Sequence, residues 1–490
     1  MLYFLLLIQG MCLAADRPNM VFILGDDMNR DSWGAYGSVD CKTPNIDDLA
    51  REGLLFENVY CSTAMCAPFR QELYSGRSPW RTKTLSNHSI STAGTKSIAH
   101  YLKALGYRVA LLGKNHVGPK KAYPFEYIQG GDKKKDQNPI FLSKARAFMD
   151  SCVKENTPFC LFVASSDSHA PFTTGDRSKY RASELTIPPY WVDTPTLREV
   201  LVSYYAEVSN FDDLVGDMRK ELERRDLWKD TIFMVCSEQG SQLPFAKWTC
   251  YDQGLHSGLI MHWGGLANMG SSISEMISIA DITPTLVAAA GGSLDEGDVD
   301  GKSFLRLVKG VEDGQDKEGG KNEVEAKGGL AEHHQYLYGA FTNCNIINNL
   351  NRVFPIRSIR SRDYTLIYNP NFRDITSNTT LSLALKYLRG GKSKKLDTAS
   401  SWMALSNKNA KEQGLVHKLH HRPEYEFYHR SKDPYELHNE IDNPEYLPVI
   451  RQLKHDLFLK LKALGDADPV ATEKSLIKKK SKNKSKKKSK

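Results

Sequence analysis

Four apolar runs of strand length punctuate the first half of the chain: Met20 to Leu24, Val109 to Leu112, Phe159 to Ala164 and Ile232 to Cys236. Each is continuous rather than alternating, the pattern of strands buried on both faces. Between them lie stretches of helical periodicity: Ile46 to Phe56, Ser97 to Leu105 with Gly106 as its stop, and Leu197 to Arg225. Such alternation predicts an α/β fold with a large, mostly parallel central sheet and helices on both faces. Ligands of such sheets bind beyond the carboxyl ends of the strands. The residues that follow the four runs are Asp26-Asp27, Lys114-Asn115-His116, Asp167-Ser168-His169 and Glu238-Gln239. The pattern therefore gathers four separated, chemically capable segments at one edge.

Further on, Asp281-Ile282-Thr283-Pro284 reads as the entrance of a helix that ends at Gly291-Gly292. From Val311 to Gly329 the chain is rich in Gly, Glu, Asp and Lys without apolar periodicity, the composition of an exposed linker or loop. Beyond it, Tyr336 to Phe341, Ile356 to Ser361 and Tyr364 to Tyr368 are short strand candidates, the last two joined by a turn at Arg362-Asp363. Glu426 to Tyr428 adds another, and Leu447 to Leu464 has the pattern of an amphipathic closing helix. The expected organisation is a catalytic domain over 16–310, a linker over 311–329, a smaller α+β domain with an antiparallel sheet over 330–465, and a disordered tail over 466–490. No repeat of fixed period is present.

Composition narrows the class. With 40% hydrophobic and 25% charged residues among 490, the chain is globular rather than disordered. Nine lysines fall between Lys478 and Lys490, more than the whole formal excess of +8, so the basicity belongs to the tail and does not argue for nucleic acid. That tail reads as a solvated segment or as an electrostatic tether to a polyanion. Leu2 to Leu13 is apolar, ends in Ala14-Ala15 and is too short to span a bilayer, so residues 1–15 read as a cleaved signal peptide and the chain as a secretory-route protein; no later segment has the length of a membrane span. Nine cysteines without a CxxC pair argue against structural zinc; Cys152 and Cys160 are close enough in sequence to pair across a short loop. Asn87-His88-Ser89 and Asn378-Thr379-Thr380 fit the glycosylation pattern.

The adjacent carboxylates of Asp26 and Asp27 repel one another unless a cation lies between them, and Glu238 and Gln239 offer two more oxygens at a neighbouring strand end. An all-oxygen set of this kind suits a hard cation, Ca²⁺ rather than Mg²⁺. Lys114 and His116 occupy alternate positions and point the same way if the extended geometry continues. Cys66-Ala67-Pro68-Phe69-Arg70, followed by Leu73-Tyr74-Ser75-Gly76-Arg77, resembles the signature of the sulfatase family, in which the cysteine is oxidised to formylglycine. The resemblance runs from about Pro18 to Leu464.

It implies an alkaline phosphatase-like fold, a modifying machinery that acts on Cys66, and a hydrated aldehyde whose hydroxyl attacks sulfur and so divides one hard step into two. It further implies Asp26, Asp27, Cys66, Glu238 and Gln239 around Ca²⁺. Arg70 would fix the diol, Lys114 and Lys247 would hold sulfate charge, His116 would take the diol proton when sulfate leaves, and His169 would protonate the leaving group. Longer matches at Gly113 to Pro119, Tyr123-Pro124-Phe125, His333-His334, Phe354 to Ser358 and Tyr428 to Pro434 are similar to the N-sulfoglucosamine sulfohydrolase branch. They imply a terminal N-sulfated glucosamine of a heparan sulfate-like glycan as substrate, contacts from Asp167, His334 and Arg357, a lysosomal, periplasmic or extracellular setting, and an assembly that admits a homodimer. The alternatives are an O-sulfatase on another sulfated carbohydrate, a phosphatase or phosphonate hydrolase of the same superfamily, and a non-catalytic glycan binder that uses the lysine tail.

Overall fold

The structure, a computed structural model, describes residues 17–130, 136–266, 269–310, 332–347, 350–351, 353–376, 385–389, 392–396, 402 and 410–477. The expected signal peptide, the 311–329 linker, the Asn378 triplet and the run from Lys478 onward lie outside the described residues. Eight strands form the main sheet: β1 (Asn19–Gly25), β2 (Leu54–Tyr60), β3 (Arg108–Gly113), β4 (Glu126–Ile128), β5 (Phe159–Ala164), β6 (Thr231–Ser237), β7 (His256–His262) and β8 (Ser271–Ser278). Their order is β4-β3-β5-β1-β6-β7-β2-β8, with β7 alone antiparallel to its neighbours. The four strands expected from the apolar runs are its centre, and β5 and β6 are buried along their whole length.

Register decides where the chemistry falls. Gly113 pairs with Ala164, Leu24 with Ala164, and Gly25 with Ser237. The four central strands therefore end in step, and Asp26, Lys114, Ser165 and Glu238 leave the sheet at one level. Helices Pro44–Glu52, Asn138–Lys154 and Pro195–Glu223 pack on one another, as do Cys66–Ser75, Ile98–Ala104 and Ile282–Ala289, giving the two groups a doubly covered sheet requires. The helical pattern expected to reach Phe56 stops at Glu52, because Gly53 lies so close to the Met261 carbonyl that a Cβ there would stand 2.5 Å from its oxygen. The chain then turns directly into β2.

Leu337–Phe341, Ile356–Arg360, Tyr364–Tyr368 and Tyr425–His429 form a second, antiparallel sheet, on which the helix Leu447–Ala463 lays Ile450, Leu453, Leu457 and Leu461 against Ile359, Leu366 and Phe427. Two expectations are corrected. Cys152 and Cys160 are separate free thiols, one on a helix and the other on β5. The tail does not begin at 466: residues 469–477 are helical and Asp466 is buried, with its Oδ2 2.5 Å from Arg357 Nε and 2.7 Å from Trp80 Nε1. A guanidinium buried at Arg357 needs that carboxylate, which composition alone does not reveal.

Burial pushes the Asp466 pKa up, but Arg357 and Trp80 together hold it below the usual carboxylate range. Its contribution to stability is then complete above the ordinary aspartate value, about 4, and is lost as pH falls through the lowered folded value. We expect Asp466→Asn to lower the unfolding free energy by about 3 kcal/mol at neutral pH and to flatten the acid limb of stability. Urea unfolding of both proteins at several pH values measures this; an unchanged midpoint would refute the pairing.

Candidate active site

The helix Cys66–Ser75 begins after an extended Met65 and ends on Gly76, whose φ of 63° is the left-handed stop that glycine accepts without strain. Pro68 lies in the first turn, where its missing N–H costs nothing. Every residue of the helix is buried. Tyr74 packs edge-on against Phe125 and Phe162 of the sheet, which fixes the helix's distance from β5. Spacing of one turn puts Cys66 and Arg70 on the same face, toward the carboxyl ends of β1, β3 and β6.

Cys66 Sγ lies 3.6 Å from Asp26 Oδ1, 3.3 Å from Asp27 Oδ1, 3.1 Å from Lys247 Nζ and 3.5 Å from Gln239 Nε2. Lys247 Nζ donates to both Asp27 oxygens at 2.6 and 2.5 Å, and Gln239 Nε2 donates to Asp27 Oδ1 at 2.5 Å. Lys114 Nζ is hydrogen-bonded to Asp26. Arg70 lies between, with Nε 2.7 Å from Glu238 Oε1, Nη2 3.7 Å from Asp26 Oδ1 and Nη1 donating to the Lys114 carbonyl at 2.8 Å. Three carboxylates thus meet three cations, all nearly devoid of solvent.

The electrostatics follow from that burial. Burial, then Asp27 and Glu238, push the Cys66 thiol up, so an unmodified cysteine here is a neutral thiol and a poor nucleophile. Burial raises Glu238 to about 8 against the pull of Arg70. Burial also pushes Asp26 upward, but Lys114 and a hydrogen bond with Glu238 outweigh it and hold Asp26 well below the usual carboxylate range. For Lys247, burial is more than offset by Asp27 and Cys66, and its pKa rises.

A cavity of about 560 Å³ opens beside this cluster, lined by Asp26, Lys114, His116, His169 and His88 among others. His169 Nδ1 is 2.7 Å from the Ala170 carbonyl, an arrangement in which Nδ1 donates, leaving Nε2, 3.5 Å from Asp27 Oδ2, as the atom free to exchange a proton. Burial keeps His169 below the ordinary imidazole value despite Asp27. Asp167 stands at the same sheet edge, but Asn210 and Thr174 each donate to its carboxylate at 2.9 Å. Burial raises it to about 6.

The structure brings Asp26, Asp27, Cys66, Arg70, Lys114, Glu238, Gln239, Lys247 and His169 into one cluster, with His116 on the cavity wall. It does not bring His334 or Arg357 there. His334 Nε2 is 2.8 Å and His333 Nε2 3.2 Å from the same Asp281 oxygen, which also caps its helix by accepting from Ser278 N at 2.8 Å. Thr283 beside it donates to Leu73 at the far end of the Cys66 helix. Arg357 is committed to Asp466 and to the carbonyls of Phe341 and Ile356. Sequence reasoning missed His88, which appeared only as the middle of a glycosylation triplet.

Asp26, Asp27, Cys66 and Glu238 each offer a ligand atom within 4.8 Å of the others, and the buried Gln239 Oε1 has no hydrogen-bond partner among the described residues. An oxygen-rich group of this kind, with one oxygen still unsatisfied, fits a hard divalent cation.

A sheet of this topology, with a buried cysteine among carboxylates and basic side chains at its carboxyl edge, defines the class: an α/β protein of the alkaline phosphatase type. The chain belongs to the sulfatase family, whose model, described as Sulfatase, matches residues 18–293. It is 29% identical over 460 residues to an ulvan-active sulfatase of Formosa agariphila, covering 92% of this chain and 81% of that protein. To the N-sulphoglucosamine sulphohydrolase of Homo sapiens it is 25% identical over 494 residues, covering 92% and 91%. Among solved structures, one holding its substrate D-glucosamine-2-N,6-O-disulfate superposes with a TM-score of 0.65 at 18% identity over 92% of this chain and 99% of that one. A phosphonate monoester hydrolase of Agrobacterium radiobacter superposes at 0.67 with 16% identity over 91% and 96%, a likeness of fold alone.

Glu72, on the buried face of the Cys66 helix, accepts Ser62 N at 2.9 Å and Ser62 Oγ at 2.5 Å, and burial raises it to about 8. Its folded pKa exceeds the unfolded value of about 4.3, so stability is greatest below that value and declines as pH rises toward 8. We expect the wild type to lose up to about 4 kcal/mol relative to Glu72→Gln between pH 5 and pH 8.5. Parallel denaturant titrations at the two pH values check this; equal slopes for both proteins would count against it.

Proposed function

We propose that this protein hydrolyses sulfate from a terminal sulfated saccharide, with residue 66 as formylglycine and Ca²⁺ held by Asp26, Asp27, Glu238 and Gln239. The observation that carries the reading is the position of Cys66: it is buried within 3.6 Å of both aspartates, of which Asp26 lines the cavity, and 3.1 Å from the Lys247 ammonium. Oxidation to the hydrated aldehyde would supply a hydroxyl nucleophile that a neutral buried thiol lacks, and the cation would polarise a sulfate oxygen. The chain's own residues supply the remainder. Lys114 and Lys247 neutralise the sulfuryl oxygens, Arg70 holds Glu238 and the nucleophile's surroundings in place, and His169 presents Nε2 to the leaving group. A cavity of about 560 Å³ suits a single sugar at a chain end better than the interior of a polymer.

For the bond broken, similarity to N-sulphoglucosamine sulphohydrolase over nearly the whole chain supports an N-linked sulfate on glucosamine. The second reading is an O-sulfatase on another sulfated carbohydrate. It is supported by the greater identity to an ulvan-active sulfatase and by the distance of His334 and Arg357 from the cluster.

Protein co-expressed with a formylglycine-generating enzyme is expected to show the aldehyde or its hydrate at residue 66 by peptide mass spectrometry. It should release sulfate from either glucosamine N-sulfate or an O-sulfated monosaccharide. Cys66→Ala should lower turnover by at least about 10³-fold, and chelation should weaken it in a way that Ca²⁺ restores. Full turnover in Cys66→Ala, or phosphate monoesters as the only substrates cleaved, would overturn the reading.

A further inference from the structure

His88 lines the cavity and has none of the roles above. It is exposed, and its Nδ1 lies 2.8 Å from Nε2 of His116, with the ring centroids 4.8 Å apart. The two histidines arrive from different parts of the chain, one beyond the Cys66 helix and one beyond β3, and both are held at left-handed backbone angles, φ 59° and 49°. Side chains rarely adopt that conformation unless the surroundings impose it. The imposing contacts are present. Gln71 of the Cys66 helix donates to the Ser89 carbonyl at 2.9 Å and accepts Ser91 N at 2.8 Å, and Asn115 accepts His116 N at 2.5 Å. The loop carrying His88 is thus tied to the helix that carries residue 66.

His116 Nδ1 is buried and has no hydrogen-bond partner among the described residues, whereas the other nitrogen of the ring meets His88, whose side chain is exposed. We propose that His88 is the proton partner of His116: the two imidazoles share one N–H, so the exposed ring sets the tautomer of the buried one and passes its proton to and from water. Two neutral rings in Nδ1-to-Nε2 contact can hold only one proton between them. Each ring must then carry its one proton on the same kind of nitrogen, both on Nδ1 or both on Nε2. With the protons on Nε2, the buried His116 Nδ1 carries a lone pair. When Nδ1 takes a proton, the Nε2 proton crosses to His88 Nδ1 and the proton of His88 Nε2, which lies 3.4 Å from Asn87 Nδ2, leaves to water, so one proton enters and one departs. The charged and titratable groups facing His116 are Lys114, Arg70, Asp26 and His88. Lys114 and Arg70 disfavour a lasting charge on the ring, which makes onward transfer the favoured course.

The inference rests on the sulfatase reading of the site, and its test has one arm that does not. In protein carrying unconverted Cys66, with ¹⁵N-labelled histidine, the ring nitrogens of His88 and His116 should report the same tautomer, and His88→Ala should change that of His116. Different tautomers in the two rings, or a His116 unaffected by His88→Ala, would overturn it. In converted enzyme, His88→Ala and His88→Asn should each lower kcat about tenfold or more with KM within about twofold of wild type, because asparagine can support the ring but cannot pass a proton through itself. Wild-type kcat in either variant, or a loss confined to KM, would also overturn it. A converted wild type inert on every sulfated saccharide sinks the sulfatase reading and this proposal together. An active wild type matched by His88→Ala sinks only this one.

Discussion

Three carboxylates and three cations share one almost waterless volume: Asp26, Asp27 and Glu238 with Arg70, Lys114 and Lys247. Burying any one of them unpaired would cost several kcal/mol. The arrangement survives because each charge finds an opposite one within contact distance, and because the positions come from five separate segments that must all be in place together. Local order around residue 66 is therefore a property of the whole sheet edge. The same balance gives the pocket its chemistry. Lys114 sits on Asp26 and lines the cavity, while Lys247 sits on Asp27 beside Cys66, so both positive charges are already desolvated and already oriented.

The fold supplies this through register. Strands β3, β5, β1 and β6 are neighbours that end within a residue of one another, so a chain that merely continues past each strand delivers Lys114, Asp167, Asp26 and Glu238 to the same level. The Cys66 helix is the separate component. Its height is set by Tyr74 against Phe162 below and by Arg70 reaching the Lys114 carbonyl above. Lys247 comes from a loop pinned at both sides, where Trp248 N donates to the Ala64 carbonyl and Trp191 Nε1 to that of Pro244.

That division explains what could be read in the sequence. Central strands buried on both faces are continuous apolar runs, and the polar residues after them mark the functional edge, so Asp26, Asp27, Lys114, His169 and Glu238 were legible from pattern alone. Strands toward the other side were not: β8 reads Ser-Ser-Ile-Ser-Glu-Met-Ile-Ser, half exposed, and β7 has histidine at both ends. His334 and Arg357 show a different limit. Motif likeness identifies a residue, but which carboxylate it meets depends on partners far off in sequence, and Asp466 lies 109 residues beyond Arg357. His88 was hidden for the converse reason, since its neighbours in sequence give no hint of the ring it touches.

The contacts made by the small sheet indicate its part. Ala340 N donates to the Ser62 carbonyl at 2.8 Å, and Ser62 in turn donates to Glu72. Thr342 donates to the Leu85 carbonyl, three residues before His88, and Trp80 donates to the same Asp466 that neutralises Arg357. These contacts bracket the segment from Ser62 to His88, the stretch that carries Cys66, Arg70 and the outer histidine. Arg357 therefore acts at a distance from the cavity as part of a brace, its charge spent on holding Asp466 and Phe341 where they support that segment. The contacts to Ser62, Leu85 and Trp80 thus hold both ends of the segment that positions residue 66.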